Sequence, residues 1–392
     1  MRFLHTGDWH LGRTIHGLSR QPEFEKVLRQ VVDVAKSEKV DVLLIAGDTF
    51  ETFSPPPDAE KLLYETLAQL IAEGVQIVMI AGNHDHARRM DALTGVLRLA
   101  GIHTVGSPPQ TKEETVITVP SRDGKESATI VALPWVPERQ AVEFEKLFEA
   151  SEEPLKRYAD NLGRTIERIC RVFDSTQGTV NVFMAHLLID GVEIGGDSGE
   201  RKLHIGQSFA IKPQSLPSNA QYVALGHVHR PQRMKAGAPS FYAGSLLQLD
   251  FGEAGQEKTL RVVDAHPKQP AQAEAIAVEG GRKLRNVTTT LAGLDSLADS
   301  CGDDYLRVTV ELDAPVPSLY DRVREVLPNA LDVTRRLPEE PAGETTSGVQ
   351  RRGAAPDELF AAYYRTKMGA EVPEGLLDLF RRLQGEHEHA PA

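Results

Sequence analysis

Five short segments of metal-ligating residue types punctuate the first 230 residues, and each follows an apolar run typical of a buried strand. Chemistry in open α/β sheets is held at the carboxyl ends of the strands. The segments therefore predict one site assembled from several neighbouring strand ends. They are Gly7-Asp8-Trp9-His10, Gly47-Asp48, Gly82-Asn83-His84-Asp85, Ala185-His186 and Gly226-His227-Val228-His229.

The donor groups of these segments are carboxylates, one amide and imidazoles, without a thiolate. Such a set suits Mn, Fe or Zn. Four of the five segments place Gly directly before the first ligand, which permits a sharp turn and a close approach of the backbone to an ion or phosphate. Any single His or Asp here is more often a turn or core residue. The conjunction of five segments at strand ends predicts a dinuclear metal centre.

Composition narrows the class of protein. Apolar residues make up 41% of 392 residues, and the two cysteines, Cys170 and Cys301, lie far apart, which argues against a disulfide framework or a thiolate zinc site. No apolar stretch approaches the roughly 20 residues that span a bilayer. The first metal-ligating segment leaves no room for a signal peptide, so we expect a soluble, cytoplasmic protein without membrane contact.

A net charge of −12 argues against a non-specific nucleic-acid coat. It does not exclude a nucleic-acid enzyme, because exposed charges are screened beyond about 8 Å at physiological salt. Two divalent ions would outweigh the charges of Asp8 and Asp48. The sequence therefore allows a positive pocket for phosphate in an acidic protein.

The order of helix and strand patterns predicts an α/β domain with two sheets and outer helices. A segment rich in Ala, Gln and Pro, 266–281, indicates a boundary after it, and 337–353 reads as a polar linker. The C-terminal segment holds two amphipathic helix candidates, which either pack on the rest of the chain or dock on a partner protein. The predicted divisions are 1–281, a compact α/β unit at 282–336, the linker 337–353 and a helical segment at 354–392.

The strand-end segments lie in longer stretches that resemble a known family. DWHLG, AGDTF with SPPP, IAGNHD, and GHVH followed by YAGSLLQLDF together resemble the calcineurin-like metallophosphoesterases and, among them, the SbcD family of nuclease subunits. The resemblance covers the whole chain. It implies an α/β/β/α sandwich with a small α/β capping domain and a C-terminal helical segment.

The resemblance also implies a set of ligands. One Mn²⁺ ion would be held by Asp8, His10, Asp48 and His229, and a second by Asp48, Asn83, His186 and His227, with Asp48 bridging. Ligand chemistry alone also admits Fe or Zn. Some relatives have a His where this chain has Glu51, so the role of that position is open.

A histidine beside the metal ligands is needed to protonate the leaving oxygen or to stabilise the transition state. His84 is the candidate, and Asp85 is expected to orient its ring through the second nitrogen. Among the basic residues near the segments, Arg13, Arg89 and Arg230 are expected to contact DNA phosphates.

The implied activity is ATP-linked cutting of DNA in repair, recombination and replication. The chain would act with the SMC-like ATPase SbcC as a 3′→5′ double-strand exonuclease and as an endonuclease on single strands and hairpins. Residues 354–392 would dock on the ATPase, 282–336 would help to select DNA, and the family forms a homodimer. A phosphomonoesterase or cyclic-nucleotide phosphodiesterase on the same scaffold remains the alternative. A purely structural metal site is disfavoured, since it needs no spare His84.

Overall fold

The computed structural model describes residues 1–108, 115–137, 158–176, 178–193 and 210–337, together with 357, 360–361, 364 and 372–388. The chain divides into two compact units, Met1–Arg336 and Leu337–Ala392. The predicted linker lies almost entirely outside the described residues. Among those that are described, no helix is both long and apolar enough to cross a bilayer.

The first unit alternates strands and helices for most of its length, as the sequence predicts. Its strands are β1 (Arg2–Thr6), β2 (Thr14–Ile15), β3 (Leu18–Ser19), β4 (Val42–Ile45), β5 (Gln76–Ile80), β6 (Ile102–Val105), β7 (Val116–Pro120), β8 (Ser127–Leu133), β9 (Val180–His186), β10 (Tyr222–Gly226), β11 (Gln232–Met234), β12 (Ser240–Tyr242), β13 (Thr259–Asp264), β14 (Gln272–Ala277), β15 (Leu284–Thr290), β16 (Tyr305–Glu311) and β17 (Ala330–Arg336). The described α-helices of the chain are α1 (Gln21–Ser37), α2 (Pro57–Ala72), α3 (Ala87–Leu99), α4 (Tyr158–Ile169), α5 (Leu294–Cys301), α6 (Leu319–Val326) and α7 (Glu374–Glu388).

Two six-stranded sheets form the body of the first unit. Their strand orders are β14-β13-β1-β4-β5-β6 and β11-β12-β10-β9-β8-β7. The strands at the centre of each sheet are parallel, whereas β13, β14, β7 and β11 join antiparallel. Because the central strands run the same way, their carboxyl ends meet at one edge of each sheet.

Apolar side chains fill three layers and hold the sheets together. One layer, which includes Phe3, Leu44 and Val182, lies between the two sheets. A second packs α1 and α2 on the outer face of the first sheet, and a third packs α4 on the outer face of the second. A strand covered on both faces is apolar throughout, as in Val42–Ile45, where all four residues are buried. The predicted α/β/β/α sandwich is confirmed.

The segment 266–281, after which the sequence indicates a boundary, contributes β14 to the first sheet. This strand pairs antiparallel with β13 at the sheet edge. Its residues are mostly exposed, so it shows none of the apolar alternation by which a strand is recognised in sequence. Backbone pairing with β13 holds it in place, and sequence patterning cannot report that interaction.

Residues 282–336 form a three-stranded parallel sheet, β15-β16-β17, with α5 and α6. Leu306, Val308 and Val323 belong to an apolar core of its own. A buried ion pair at the start of α1 joins that helix to the segment that precedes β15, because Glu23 accepts from both Arg20 (2.6 Å) and the Arg282 backbone N–H (2.7 Å). The separate capping domain at 282–336 stays a prediction.

The second unit contains helical turns at 357, 360–361 and 364 and helix α7. The Phe360 and Phe380 rings stack with centroids 4.3 Å apart, and Arg381 pairs with Asp357 at 2.9 Å. Leu376 and Leu379 remain 37% and 44% exposed. The helical segment thus buries part of its apolar surface internally and leaves another part uncovered.

Candidate metal centre

All five predicted segments stand at the carboxyl ends of central parallel strands. The first three follow β1, β4 and β5, which are neighbours in the first sheet. His186 is the last residue of β9, and His227 follows β10, its neighbour in the second sheet. The two sheet edges bring the segments together, which confirms the predicted convergence.

The backbone at the site is strained. Asp8 (φ 50°), His10 (50°), Asp48 (47°) and His227 (99°) all occupy the left-handed region that non-glycine residues avoid. Gly47 precedes Asp48 with φ 90°, and a side chain there would collide with the His186 ring. Such strain persists where the surrounding fold over-determines it, and it concentrates at functional sites.

The first cluster contains Asp8, His10 and His229, whose ligand atoms lie within 4.8 Å of one another. The Nε2 atoms of His10 and His229 face each other at 3.1 Å. Each ring uses its Nδ1–H on a carboxylate, His10 on Glu51 at 2.9 Å and His229 on Glu253 at 2.8 Å. With each Nδ1 atom so engaged, both Nε2 atoms are directed at the cluster together with the Asp8 carboxylate, an arrangement that suits a bound cation.

The second cluster contains Asp48, His186 and His227, again within 4.8 Å. His186 donates its Nδ1–H to the Ala46 carbonyl at 2.8 Å, which directs its Nε2 atom at the cluster. That atom lies 3.1 Å from Asn83 Oδ1 and 3.4 Å from Asp48 Oδ2, which are both acceptors. The Nδ1 atom of His227 is 2.9 Å from the same Asn83 oxygen. Candidate ligand atoms again converge on one point.

Asp48 faces both clusters. Its Oδ2 atom is 3.4 Å from His186 Nε2 and 3.7 Å from His10 Nε2. This position suits a carboxylate shared between two ions. Asp8 adds a link, because its carboxylate accepts from the His227 backbone N–H at 2.9 Å.

The ionisable groups at the site shift one another's pKa values. Burial disfavours the charged form of His186, but the Asp48 and Asp8 carboxylates outweigh it and raise the pKa of His186 to about 9. Burial and the nearby His186 lower the pKa of His227 to about 3. Burial also raises the pKa of Asp8. Buried carboxylates, imidazoles and one amide oxygen thus converge at the site, and this donor set fits the divalent ions that the sequence predicts.

His84 lies half-buried beside the two clusters. Its backbone N–H donates to Asp48 Oδ1 at 2.8 Å, and its ring Nδ1–H donates to the Glu51 carbonyl at 2.8 Å. The His84 and His10 ring centroids are 4.8 Å apart. One of its ring nitrogens is also within 4.8 Å of ligand atoms of His10 and Asp48.

The Asp85 carboxylate binds backbone N–H groups and not the His84 ring, contrary to the prediction. Its carboxylate accepts from the backbone N–H groups of Gly82 (2.9 Å), Thr49 (3.2 Å) and Phe50 (3.0 Å). The Glu51 carbonyl holds the His84 ring instead. Asp85 thus ties the loop after β5 to the loop after β4, because a buried carboxylate is satisfied best by several backbone donors.

Each of the three predicted DNA contacts is paired with a glutamate. Arg13 lies 2.5 Å from Glu51, Arg230 lies 3.0 Å from Glu193, and Arg89 pairs with Glu60. Trp9 is fully buried and donates to the Thr6 hydroxyl at 2.9 Å, as expected of a residue that packs under the site.

Sequence reasoning missed two residues at the site. Glu253 supports His229, and Trp135 stacks on the His227 ring with centroids 5.2 Å apart. Neither lies in a recognisable ligand segment, and both reach the site through tertiary packing. Within Leu249-Asp250-Phe251-Gly252-Glu253, the spacing of residues does not mark Glu253 as a partner of a metal ligand.

Comparisons with known proteins agree with this geometry. The family model described as calcineurin-like phosphoesterase matches residues 1–231, and the one described as type 5 capsule protein repressor C-terminal domain matches 281–368. A Bacillus subtilis protein named as the SbcD subunit of the nuclease SbcCD is 31% identical over the full length of both chains. Its namesake from Rhodobacter capsulatus is 32% identical over 93% of this chain and 94% of its own.

Replacement of the shared carboxylate tests whether this centre holds metal. Asp48→Asn removes the charge that faces both clusters, and we expect bound divalent metal to fall to near zero after gel filtration. Elemental analysis of the purified protein gives the readout. Asp41→Asn is the matched control, since Asp41 accepts from the backbone N–H groups of Arg2 and Arg122 away from the centre. Equal metal in Asp48→Asn and the unchanged chain would contradict the assignment.

Proposed function

Since the chain belongs to the calcineurin-like phosphoesterase family and to the family of SbcD nuclease subunits, we propose that it hydrolyses DNA phosphodiesters at a dinuclear metal centre. The relatives of that name match it from end to end. The activity proposed is that of an ATP-linked 3′→5′ exonuclease on duplex DNA and an endonuclease on single strands and hairpins.

The observation that carries the proposal is the convergence of ring nitrogens and carboxylate oxygens at the strand ends. We assign Asp8, His10, Asp48 and His229 to one ion and Asp48, Asn83, His186 and His227 to the other. Asp48 is the proposed shared ligand because its Oδ2 atom lies 3.7 Å from His10 Nε2 and 3.4 Å from His186 Nε2. Mn²⁺ is the ion proposed, and the donor set also accepts Fe or Zn.

Two divalent ions so placed would supply a water of lowered pKa and positive charge for the phosphoryl oxygens. The residues around them fix the reacting groups. Glu51 holds the Nδ1–H of His84, which leaves Nε2 as the ring atom that can carry a proton toward the leaving oxygen. The Asp48 carboxylate accepts from the His84 backbone N–H, so the proposed shared metal ligand also positions the proposed proton donor.

The polymeric substrate distinguishes this proposal from a phosphomonoesterase or a cyclic-nucleotide phosphodiesterase on the same scaffold. A small phosphoester needs only the metal centre. The match at residues 281–368 adds a second region shared with a known family, and residues 282–336 are proposed to help select DNA. Arg13, Arg89 and Arg230 are proposed to meet the strand, each by exchange of its glutamate for a phosphate.

His84 is the residue whose loss should separate chemistry from metal binding. We expect His84→Ala to lower cleavage of end-labelled hairpin duplex in Mn²⁺ by about 10²–10⁴-fold, since that is the usual contribution of a positioned proton donor. Metal content should be unchanged. His86→Ala is the control, because His86 is exposed and caps α3 two residues away. Normal cutting by His84→Ala, or rapid turnover of small phosphoesters with no cutting of DNA, would exclude the proposed role.

An SMC-like ATPase of the SbcC type is the proposed partner of the C-terminal unit. Leu376 and Leu379 are uncovered on α7, and an exposed apolar pair on a short helix favours burial against another protein. Contact with the ATPase would supply the dependence on ATP that the proposed activity requires.

Charge on that helix should break the complex. We expect Leu376→Glu with Leu379→Glu to reduce co-purification of the ATPase at least tenfold and to leave Mn²⁺ content intact. Asp378→Ala on the same helix, 60% exposed in its side chain, should bind as the unchanged chain does. Full retention of the ATPase by the double variant would place the interface elsewhere.

A homodimer through α3 is also proposed. This helix buries none of its residues, and Val96 and Leu99 are 69% and 90% exposed. A second copy of the chain would cover an apolar face that the sandwich leaves open.

Sedimentation velocity measures this association. We expect Leu99→Asp to shift the chain from dimer toward monomer, since a buried charge opposes the contact. Leu18→Asp, at a 45% exposed leucine on β3, is the control and should leave the dimer intact. A monomeric unchanged chain at micromolar concentration would refute the dimer.

A further inference from the structure

Two carboxylates stand behind the first cluster, and neither belongs to the proposed ligands. Glu51 accepts from His10 Nδ1–H at 2.9 Å, and Glu253 accepts from His229 Nδ1–H at 2.8 Å. A carboxylate in this position fixes the ring and increases the basicity of its other nitrogen. Both imidazoles of this cluster therefore face the ion with Nε2 and are backed by negative charge.

The Glu253 carboxylate is held rigidly. The residue is fully buried and begins no motif of its own; it closes a short 3-10 helix, Phe251–Glu253. Its Oε2 accepts from Lys258 Nζ at 2.6 Å and from the Leu249 backbone N–H at 3.1 Å, while Oε1 faces His229. With both oxygens engaged by donors, the carboxylate cannot turn away from the ring.

Glu51 is held from the opposite side. Its Oε1 atom contacts Arg13 at 2.5 Å, and its carbonyl accepts from His84. The side chain is 19% exposed, so its replacement disturbs packing less than replacement of Glu253. The two glutamates thus give independent variants for one hypothesis.

In the described part of the chain, no such carboxylate stands behind the second cluster. His186 donates to a neutral carbonyl, that of Ala46. The ligand atom that Asn83 offers is an uncharged amide oxygen. His227 turns Nδ1 toward Asn83 and stacks on Trp135, an uncharged ring. Among the described residues, no carboxylate is hydrogen-bonded to a ring nitrogen of His227. The carboxylates that lie near His186, those of Asp48 at 3.4 Å and Asp8 at 3.9 Å, are proposed ligands themselves and do not stand behind the rings.

We infer that the two metal positions are unequal: Glu51 and Glu253 are positioning residues that make the Asp8–His10–His229 position the tighter one. The other position then fills second and exchanges its ion more readily. This inference rests on the dinuclear centre of the proposed function and adds the order in which its ions bind.

Titration of the full-length, metal-free chain with Mn²⁺ tests it, followed by the electron paramagnetic resonance signal of free Mn²⁺ and by calorimetry. We expect two classes of site that differ at least tenfold in affinity. Glu51→Gln and Glu253→Gln should each weaken the tighter class by about 10–100-fold and leave the weaker class within about twofold, as loss of a supporting hydrogen-bonded carboxylate does at other metal sites. No DNA cleavage is needed for this readout.

Glu23→Gln is the matched control, because Glu23 is a buried carboxylate paired with Arg20 away from the metal centre. It should bind both ions as the unchanged chain does. Two equal sites in the unchanged chain would overturn the inference, as would Glu51→Gln and Glu253→Gln variants that alter both classes equally or neither. If Glu253→Gln fails to fold by circular dichroism, Glu51→Gln decides. A chain that binds no Mn²⁺ at all would refute the dinuclear centre itself and, with it, the proposed function.

Discussion

The Nε2 atoms of His10 and His229 face each other at 3.1 Å, and the rest of the site depends on this contact. Each ring is turned this way because its Nδ1 atom is hydrogen-bonded to a carboxylate, that of Glu51 for His10 and that of Glu253 for His229. Folding therefore directs both Nε2 atoms at one place before a cation binds. Preorganisation of this kind is the way a protein concentrates binding free energy at one place.

The sandwich makes that preorganisation possible. Ligands come from strands of both sheets, so their mutual distances are fixed only if the sheets cannot slide. The apolar layer between them, which includes Phe3, Leu44 and Val182, is close to fully buried and holds the register. Left-handed backbone at Asp8 and Asp48 is tolerated for the same reason, since neighbouring strands impose it. A loop-built site would relax those angles and separate the nitrogens.

Much of the site could be predicted from sequence because strand ends carry local signals. An apolar run, a glycine and a ligand residue appear together within ten positions, as in Val42 to Asp48. The supports behind the ligands carry no such signal. Glu253 meets His229 across 24 positions, and Asp85 turned out to bind backbone N–H groups that no pattern marks. Strand β14 was not predicted for a related reason, since backbone pairing and not side-chain pattern defines an exposed edge strand. Local chemistry is thus readable in advance, whereas tertiary support is not.

The acidic character of the chain bears on how a phosphodiester would be held. Arg13, Arg89 and Arg230 stand near the centre, but each guanidinium is already paired with a glutamate. Such partly exposed ion pairs contribute little to stability. A phosphate that replaces the glutamate gains only the difference in free energy between the two ion pairs. A chain with net charge −12 offers little long-range attraction to DNA. Attraction of the chain for a phosphodiester would therefore be short in range. It would arise at the metal centre, where the positive charge of two divalent ions exceeds the negative charge of Asp8 and Asp48. It follows that substrate affinity should depend on metal occupancy more than on surface arginines, and that an apo chain should hold DNA poorly even with every arginine in place.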